Sequence, residues 1–160
     1  MMFSLVSLIL LMSFEIGPTI GGFIPVQDED DPWRSSALFG VKTRYGFSSI
    51  DLDFQLLFTE LGIDPDSSRG YDYTLIPLTL GLSKNTRYLR YGAGGALYSI
   101  EARNVIVEGL ESVWSGTYPG MYLSFGRDFS VGSNTADVTA RFNIIDFNGL
   151  WIGLTTSFLF

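Results

Sequence analysis

From Phe14 onward the chain alternates apolar and polar residues, the period-two signature of strands whose two faces meet different surroundings. The clearest case is residues 50–59. Ile50, Leu52, Phe54, Leu56 and Phe58 point one way, and Asp51, Asp53, Gln55, Leu57 and Thr59 the other. Residues 135–145 set Ala136, Val138, Ala140, Phe142 and Ile144 against Asp137, Thr139, Arg141, Asn143 and Ile145. Residues 150–160 set Leu150, Ile152, Leu154, Thr156, Phe158 and Phe160 against Trp151, Gly153, Thr155, Ser157 and Leu159. Five further segments, 14–25, 37–47, 71–82, 87–100 and 113–129, follow the pattern less cleanly; in the last, Met121, Leu123 and Phe125 share a face with Pro119 and Arg127. Long polar connections at 26–36, 60–70 and 101–112 alternate with tight ones at 47–49, 83–86 and 130–134. The connection at 146–149 breaks this rhythm, being short where a long one is due. Short turns on one rim and long loops on the other predict an all-β chain: an eight-stranded antiparallel up-and-down transmembrane β-barrel.

Alternation alone leaves open which face is outside, since a soluble barrel alternates too, with its apolar set inside. The polar set is rich in small residues (Gly17, Gly40, Gly94, Gly153, Thr139, Ser157), which suit a narrow lumen. Its charges balance, with Glu15, Asp51, Asp53 and Asp137 against Lys42, Arg44, Arg90 and Arg141. A closed interior needs that balance, because unpaired buried charge is costly. Aromatics of the apolar set (Phe39, Tyr45, Phe47, Phe58, Phe158, Phe160) sit near strand ends, as an interfacial girdle does. The membrane orientation is favoured on these grounds, with the eight charges forming a lumen network. If Phe47 and Ser48 make a two-residue turn, Arg44 faces Asp51 and Lys42 faces Asp53. The rival readings are a soluble lipocalin-like carrier of a small apolar ligand and a narrow channel.

Composition narrows the chemistry. At 160 residues the chain is one domain, and it has neither cysteine nor histidine. Disulfides, thiolate catalysis, His-dependent triads and nearly every zinc site are thereby removed. Hydrophobic residues reach 46% and charged residues only 17%, with mean hydropathy +0.25. The net charge of −7, with no basic stripe, argues against nucleic acid. Without a histidine the usual general base is missing, so no enzyme, cofactor or metal site is expected. The run Gly92, Ala93, Gly94, Gly95 fails the dinucleotide pattern, because its sixth position is Leu97 and no helix follows. Those glycines instead leave room for a bulky neighbour such as Tyr98 or Tyr122 in the lumen.

The long connections are acidic. Asp28, Glu29, Asp30, Asp31, Asp64 and Asp66 join Glu60, Asp72, Glu101, Glu108 and Glu111, offset only by Arg34, Arg69 and Arg103, which leaves −8 there. Oxygen-rich loops can hold Ca²⁺, but the EF-hand spacing is absent and solvated loop charge is the plainer reading. Val105, Val107, Leu110 and Trp114 could extend a hairpin beyond the membrane as an edge that pairs with other proteins, or fold over the barrel mouth. The apolar run at 3–12 is too short to span, which takes about 20 residues, and has the length of a signal-peptide core. Residues 1–13 are therefore read as a signal peptide and 14–160 as the barrel domain; the alternative is that the run extends the first strand.

The stretches TLIPLTLGL (74–82) and YLRYGAGGALY (88–98) resemble a fourth and fifth barrel strand around a tight turn, and EIGPTIGGFIP (15–25) a first strand. On these residues the chain is similar to the small outer-membrane β-barrel domain family of Gram-negative bacteria, the eight-stranded OmpA/OmpX-type barrels. The terminal GLTTSFLF resembles the signal read by the barrel-assembly machinery, with Gly153, Phe158 and the final aromatic Phe160 in matching places. The resemblance implies the outer membrane of a Gram-negative bacterium, contact with outer-membrane lipid and lipopolysaccharide, and periplasmic termini. It also implies a structural or surface-interaction role carried by the extracellular loops, through a surface protein partner.

Overall fold

A computed structural model describes residues 12–26, 33–47, 49–63, 71–104, 114–146 and 149–160. The strands are β1 (Met12–Pro25), β2 (Trp33–Arg34), β3 (Ser36–Phe47), β4 (Ile50–Ile63), β5 (Tyr71–Asn85), β6 (Arg90–Asn104), β7 (Trp114–Val131), β8 (Asn134–Ile145) and β9 (Gly149–Leu159). Each of the eight long strands pairs antiparallel with its neighbours in the order β1, β3, β4, β5, β6, β7, β8, β9, and the β1 to β9 pairing closes the ring. The last residue completes the seam: Ile16 and Phe160 exchange backbone hydrogen bonds of 3.2 Å in both directions. Closure leaves the ring of eight long strands without an open edge, which hydrocarbon would not tolerate.

The tight turns have local causes. Val131 pairs with Asn134 across Gly132 and Ser133, and Gly132 holds φ +66, which suits the first position of a type II′ turn. Between β5 and β6 the Thr86 N–H donates to the Leu89 carbonyl at 3.0 Å, and the Leu89 N–H donates to Thr86 Oγ1 at 3.1 Å. The short connection after β8 turns at Asp146, at φ 50, whose N–H donates to the Pro119 carbonyl of β7 at 2.9 Å. Strand β2 lies within a stretch that reads as loop. It pairs Trp33 and Arg34 with Ile63 and Gly62, because β4 runs past Thr59 to Ile63.

The outer wall is apolar and the interior polar. Ile20 and Leu154 are 66% and 55% exposed on the outside, while Thr19 and Asp137 inside are 1% and 0% exposed. A wall of this kind is stable only against hydrocarbon, so the soluble-carrier reading is overturned. Aromatic contacts ring the turn end, with Phe14 and Tyr45 at 6.4 Å, Tyr45 and Phe47 at 4.7 Å, and Phe158 and Phe160 at 6.3 Å between centroids. Phe39 and Phe58, 4.9 Å apart, mark the loop end.

Beyond that level β4 to β7 reverse polarity. Their outward positions become Glu60, Thr74, Ser99, Glu101 and Thr117, while Leu61, Leu75 and Ala102 stay buried on the inner face. The switch marks where these strands leave the bilayer and enter water. Residues 1–11 and 105–113, which carry the signal-peptide core and most of the proposed edge hairpin, lie outside the described residues. Met12 and Ser13 pair with Phe47 and Gly46 as the start of β1.

Glycine sets the lumen width at one point. A Cβ on Gly94 would meet the Leu80 carbonyl oxygen and the Tyr122 ring, so the two strands close only with hydrogen there. Gly94→Ala should lower stability by about 1–3 kcal/mol in urea unfolding of the refolded barrel. The parent chain, refolded in detergent, should give β-type circular dichroism and a gel-mobility shift on boiling in SDS. Folding in plain buffer with no shift would contradict the membrane orientation.

Candidate functional site

The lumen is divided into two layers, and the layer at the turn end is ionic. Asp137 of β8 has no accessible surface and accepts hydrogen bonds from Lys42 Nζ at 3.1 Å, Arg44 Nη2 at 2.8 Å and Thr139 Oγ1 at 2.8 Å, and from Arg90 Nη2. Asp53 of β4 lies 3.5 Å from Lys42 Nζ, 3.5 Å from Arg44 Nε and 3.4 Å from Arg90 Nη1, and accepts from Ser83 Oγ. Asp128 of β7 receives both Arg44 Nη atoms at 2.9 and 3.3 Å and Asn85 Nδ2 at 2.9 Å. Glu15 of β1 takes Arg44 Nη1 at 3.2 Å and Thr135 Oγ1 at 3.0 Å. Arg44 thus touches four carboxylates from four strands.

The structure brings Glu15, Lys42, Arg44, Asp53, Arg90 and Asp137 into this one cluster. The two other charges assigned to the lumen stand apart. Asp51 is half-buried, faces Gly46 and Ser83, and joins none of the ion pairs among the described residues. Arg141 is buried one level higher, stacks 4.2 Å over the Tyr122 ring and donates to Thr79 Oγ1 at 3.0 Å.

The expected cross-strand pairing is corrected by two residues. Arg44 faces Asp53 and Lys42 faces Gln55, because Phe47 stays in β3 opposite Ile50. Phe47 keeps its strand place by packing outside against Tyr45. A slip of two preserves every face, so the charges stay inside although their partners change. Lys42 still reaches Asp53 on the diagonal. Asp128 was not among the sequence candidates. Its signal was present in the parity of Tyr122, Ser124, Gly126 and Asp128 against Met121, Leu123 and Phe125.

The layer toward the loop end is apolar. Tyr98 is fully buried and donates its hydroxyl to Asn143 Oδ1 at 3.0 Å. Phe23 and Trp151 stack with centroids 5.1 Å apart, and Leu38, Leu57, Leu75 and Ile145 fill the space around them. Above this layer a cavity of about 200 Å³ is lined by Leu61, Leu75, Ile100, Tyr118, Ile145 and Trp151. Tyr98 and Tyr122 both lean on glycine, against Gly120 and Gly94 respectively. Among the described residues no group of acidic side chains is arranged to hold a metal ion. At the C-terminus Phe158 and Phe160 face outward and exposed, while Gly153 lies inside beside Phe23 and Asn143.

Removing one member of a buried ionic cluster leaves its partners uncompensated. Asp137→Ala, which strands Lys42, Arg44 and Arg90, should lower the unfolding free energy by about 3–5 kcal/mol. Arg44→Ala should act in the same direction by stranding Asp53, Asp128 and Asp137. Asp30→Ala, in a polar connection, should stay within about 0.5 kcal/mol of the parent. Urea titration of the lipid-embedded barrel with a tryptophan fluorescence readout distinguishes the three.

No protein-family model matches the chain, and no curated protein matches its sequence. Solved structures do match. Neisserial surface protein A superposes with a TM-score of 0.67 at 14% identity, over 92% of this chain and 97% of that one. The N-terminal barrel domain of Pseudomonas aeruginosa OprF gives 0.58 at 16% identity, over 91% and 97%. Ail, the attachment invasion locus protein of Yersinia pestis, gives 0.55 at 15% identity, over 93% and 97%. The closed ring, the apolar wall and these superpositions agree: the chain is a transmembrane β-barrel with the fold of the small eight-stranded outer-membrane proteins.

Proposed function

We propose that this chain is a non-enzymatic barrel of the Gram-negative outer membrane, with a surface-interaction role carried by its loop end. One observation carries the reading: the lumen is filled twice over, by the ionic cluster around Asp137 and by the apolar layer around Tyr98. Eight strands enclose a space about as wide as their side chains, and here both levels are occupied. This filling argues against an aqueous channel, and the cavity of about 200 Å³ at the mouth is lined mainly by apolar side chains, which argues against a catalytic pocket. With no histidine or cysteine anywhere in the chain, the groups on which most hydrolytic sites depend are missing as well.

The loop end is the part with distinctive chemistry. In sequence, the three long connections there, with the adjoining Asp72, carry −8 of charge, and Asp146 in the short connection adds one more acid. Such a rim favours a basic segment of a surface protein. It approaches lipopolysaccharide phosphates only where divalent cations bridge. The outward Phe158 and Phe160, beside the seam that Phe160 closes, support recognition of the C-terminal strand by the barrel-assembly machinery.

Two measurements test the reading. In planar bilayers the refolded chain should give no discrete conductance, and a stable conductance altered by Arg90→Ala would establish a channel instead. A lysine-rich peptide should bind the barrel at low salt. A variant with Asp28→Asn, Glu29→Gln, Asp30→Asn and Asp31→Asn should bind about fivefold more weakly, since exposed pairs contribute ~0.2–1 kcal/mol each. Its shift on boiling should be unchanged. Equal binding by both proteins would sink the acidic-rim proposal.

A further inference from the structure

The outer wall is uneven around the ring. On β6 the outward positions between Tyr91 and Leu97 are Ala93 and Gly95, the two smallest residues available. The register sets Leu82 and Leu123 on either side of Ala93, and Leu80 and Met121 on either side of Gly95. A valley therefore runs along β6 between a leucine wall on β5 and a wall of Met121, Leu123 and Phe125 on β7. Its turn end opens into a hollow of about 350 Å³ lined by Leu82, Lys84, Tyr91, Ala93, Leu123 and Phe125.

The charge at that end has one sign. Lys84 sits directly across from Tyr91, and Tyr91 in turn across from Phe125. Arg127 is the next outward residue beyond Phe125 on the same strand, and Arg87 lies in the turn between β5 and β6. All three are exposed, and the guanidiniums rest on aromatic faces at the membrane rim, Arg87 over Tyr88 at 5.3 Å and Arg127 over Phe129 at 5.5 Å. The carboxylates at the same level, Glu15, Asp51, Asp128 and Asp137, lie on the lumen face. Among the described residues the outer wall at the turn end thus carries cations and no acid.

We propose that this valley holds an anionic phospholipid of the turn-side leaflet. The phosphate lies among Lys84, Arg127 and Arg87, and one acyl chain lies along Ala93 and Gly95 between the two walls. The chemistry selects that occupant. The lining is mostly apolar for the depth of a chain, and among the described residues the charged groups at its mouth are all cations, placed where a phosphate sits. A second copy of the barrel is a poorer occupant, because a two-fold contact across the valley would bring both sets of cations together. The inference needs only that the barrel spans a bilayer, so its failure would leave the surface role standing.

The test is native mass spectrometry of the refolded full chain, checked for its shift on boiling, with equimolar dioleoyl phosphatidylglycerol and dioleoyl phosphatidylcholine. Phosphatidylglycerol should be retained over phosphatidylcholine by about fivefold for each cation engaged. The Lys84→Gln, Arg127→Gln double variant should retain the two lipids equally. Ala93→Leu, which fills the valley from the lipid side, should reduce retention of phosphatidylglycerol while leaving the barrel folded. Equal retention by the parent overturns the proposal, as does a preference that survives the double variant. A lipid-free dimer abolished by Ala93→Leu would also overturn it, by assigning the valley to a second copy.

Discussion

A carboxylate with no contact to water organises the turn-side half of this barrel. Lys42 and Arg44 of β3 and Arg90 of β6 converge on Asp137 of β8, and their charges offset the cost of a carboxylate held away from water. Those cations in turn need Asp53, Asp128 and Glu15. Buried ionic clusters add little net stability over a well-packed apolar core, but a broken one is strongly destabilising. The cluster therefore acts mainly against wrong closures. A strand that slipped by one residue would turn its charges into hydrocarbon, and a slip of two would separate partners held within about 3 Å.

The faces of the strands were legible in the sequence because they depend on parity alone. All eight long strands lie where the alternation places them, and even the 113–129 segment, interrupted by Pro119, keeps Met121, Leu123 and Phe125 outside. Register was not legible, since it turns on whether Phe47 belongs to the turn or to β3, and both choices give the same faces. Without register the levels of the lumen are invisible. Arg141 alternates like Arg44 and so reads as a member of the same network, yet it stands one layer away against Tyr122. Asp128 shares a parity with lumen residues but follows Arg127, whose outward place at the rim makes that end of β7 read as solvent.

The two ends of the molecule differ in how they meet water. At the turn end the strands stop at the membrane, and aromatics and outward cations mark the boundary. At the loop end β4 to β7 continue, and the exchange of Ile76 and Leu97 for Thr74 and Ser99 turns a membrane wall into the outer face of a water-exposed sheet. The inward side cannot make the same change. Polar groups there would lie buried against the layer of Tyr98 and Trp151, so Leu61, Leu75 and Ala102 remain apolar. The cavity at the mouth is a consequence of this one-sided switch.

Arg141 marks where the ionic layer of the lumen stops. A buried guanidinium with a carboxylate partner would carry the ionic cluster upward into the next layer and join the polar surfaces of the barrel end to end. Here its plane lies on the Tyr122 ring, and its one hydrogen bond among the described residues goes to a neutral hydroxyl of Thr79. The cation is stabilised by an aromatic face that presents its apolar bulk to the layer above. The ion pairs stop below that level, and the buried polar groups beyond it, Asn143 and Thr59, are neutral. The long connections are strongly acidic in sequence, and the turn-side wall is cationic beside an apolar valley.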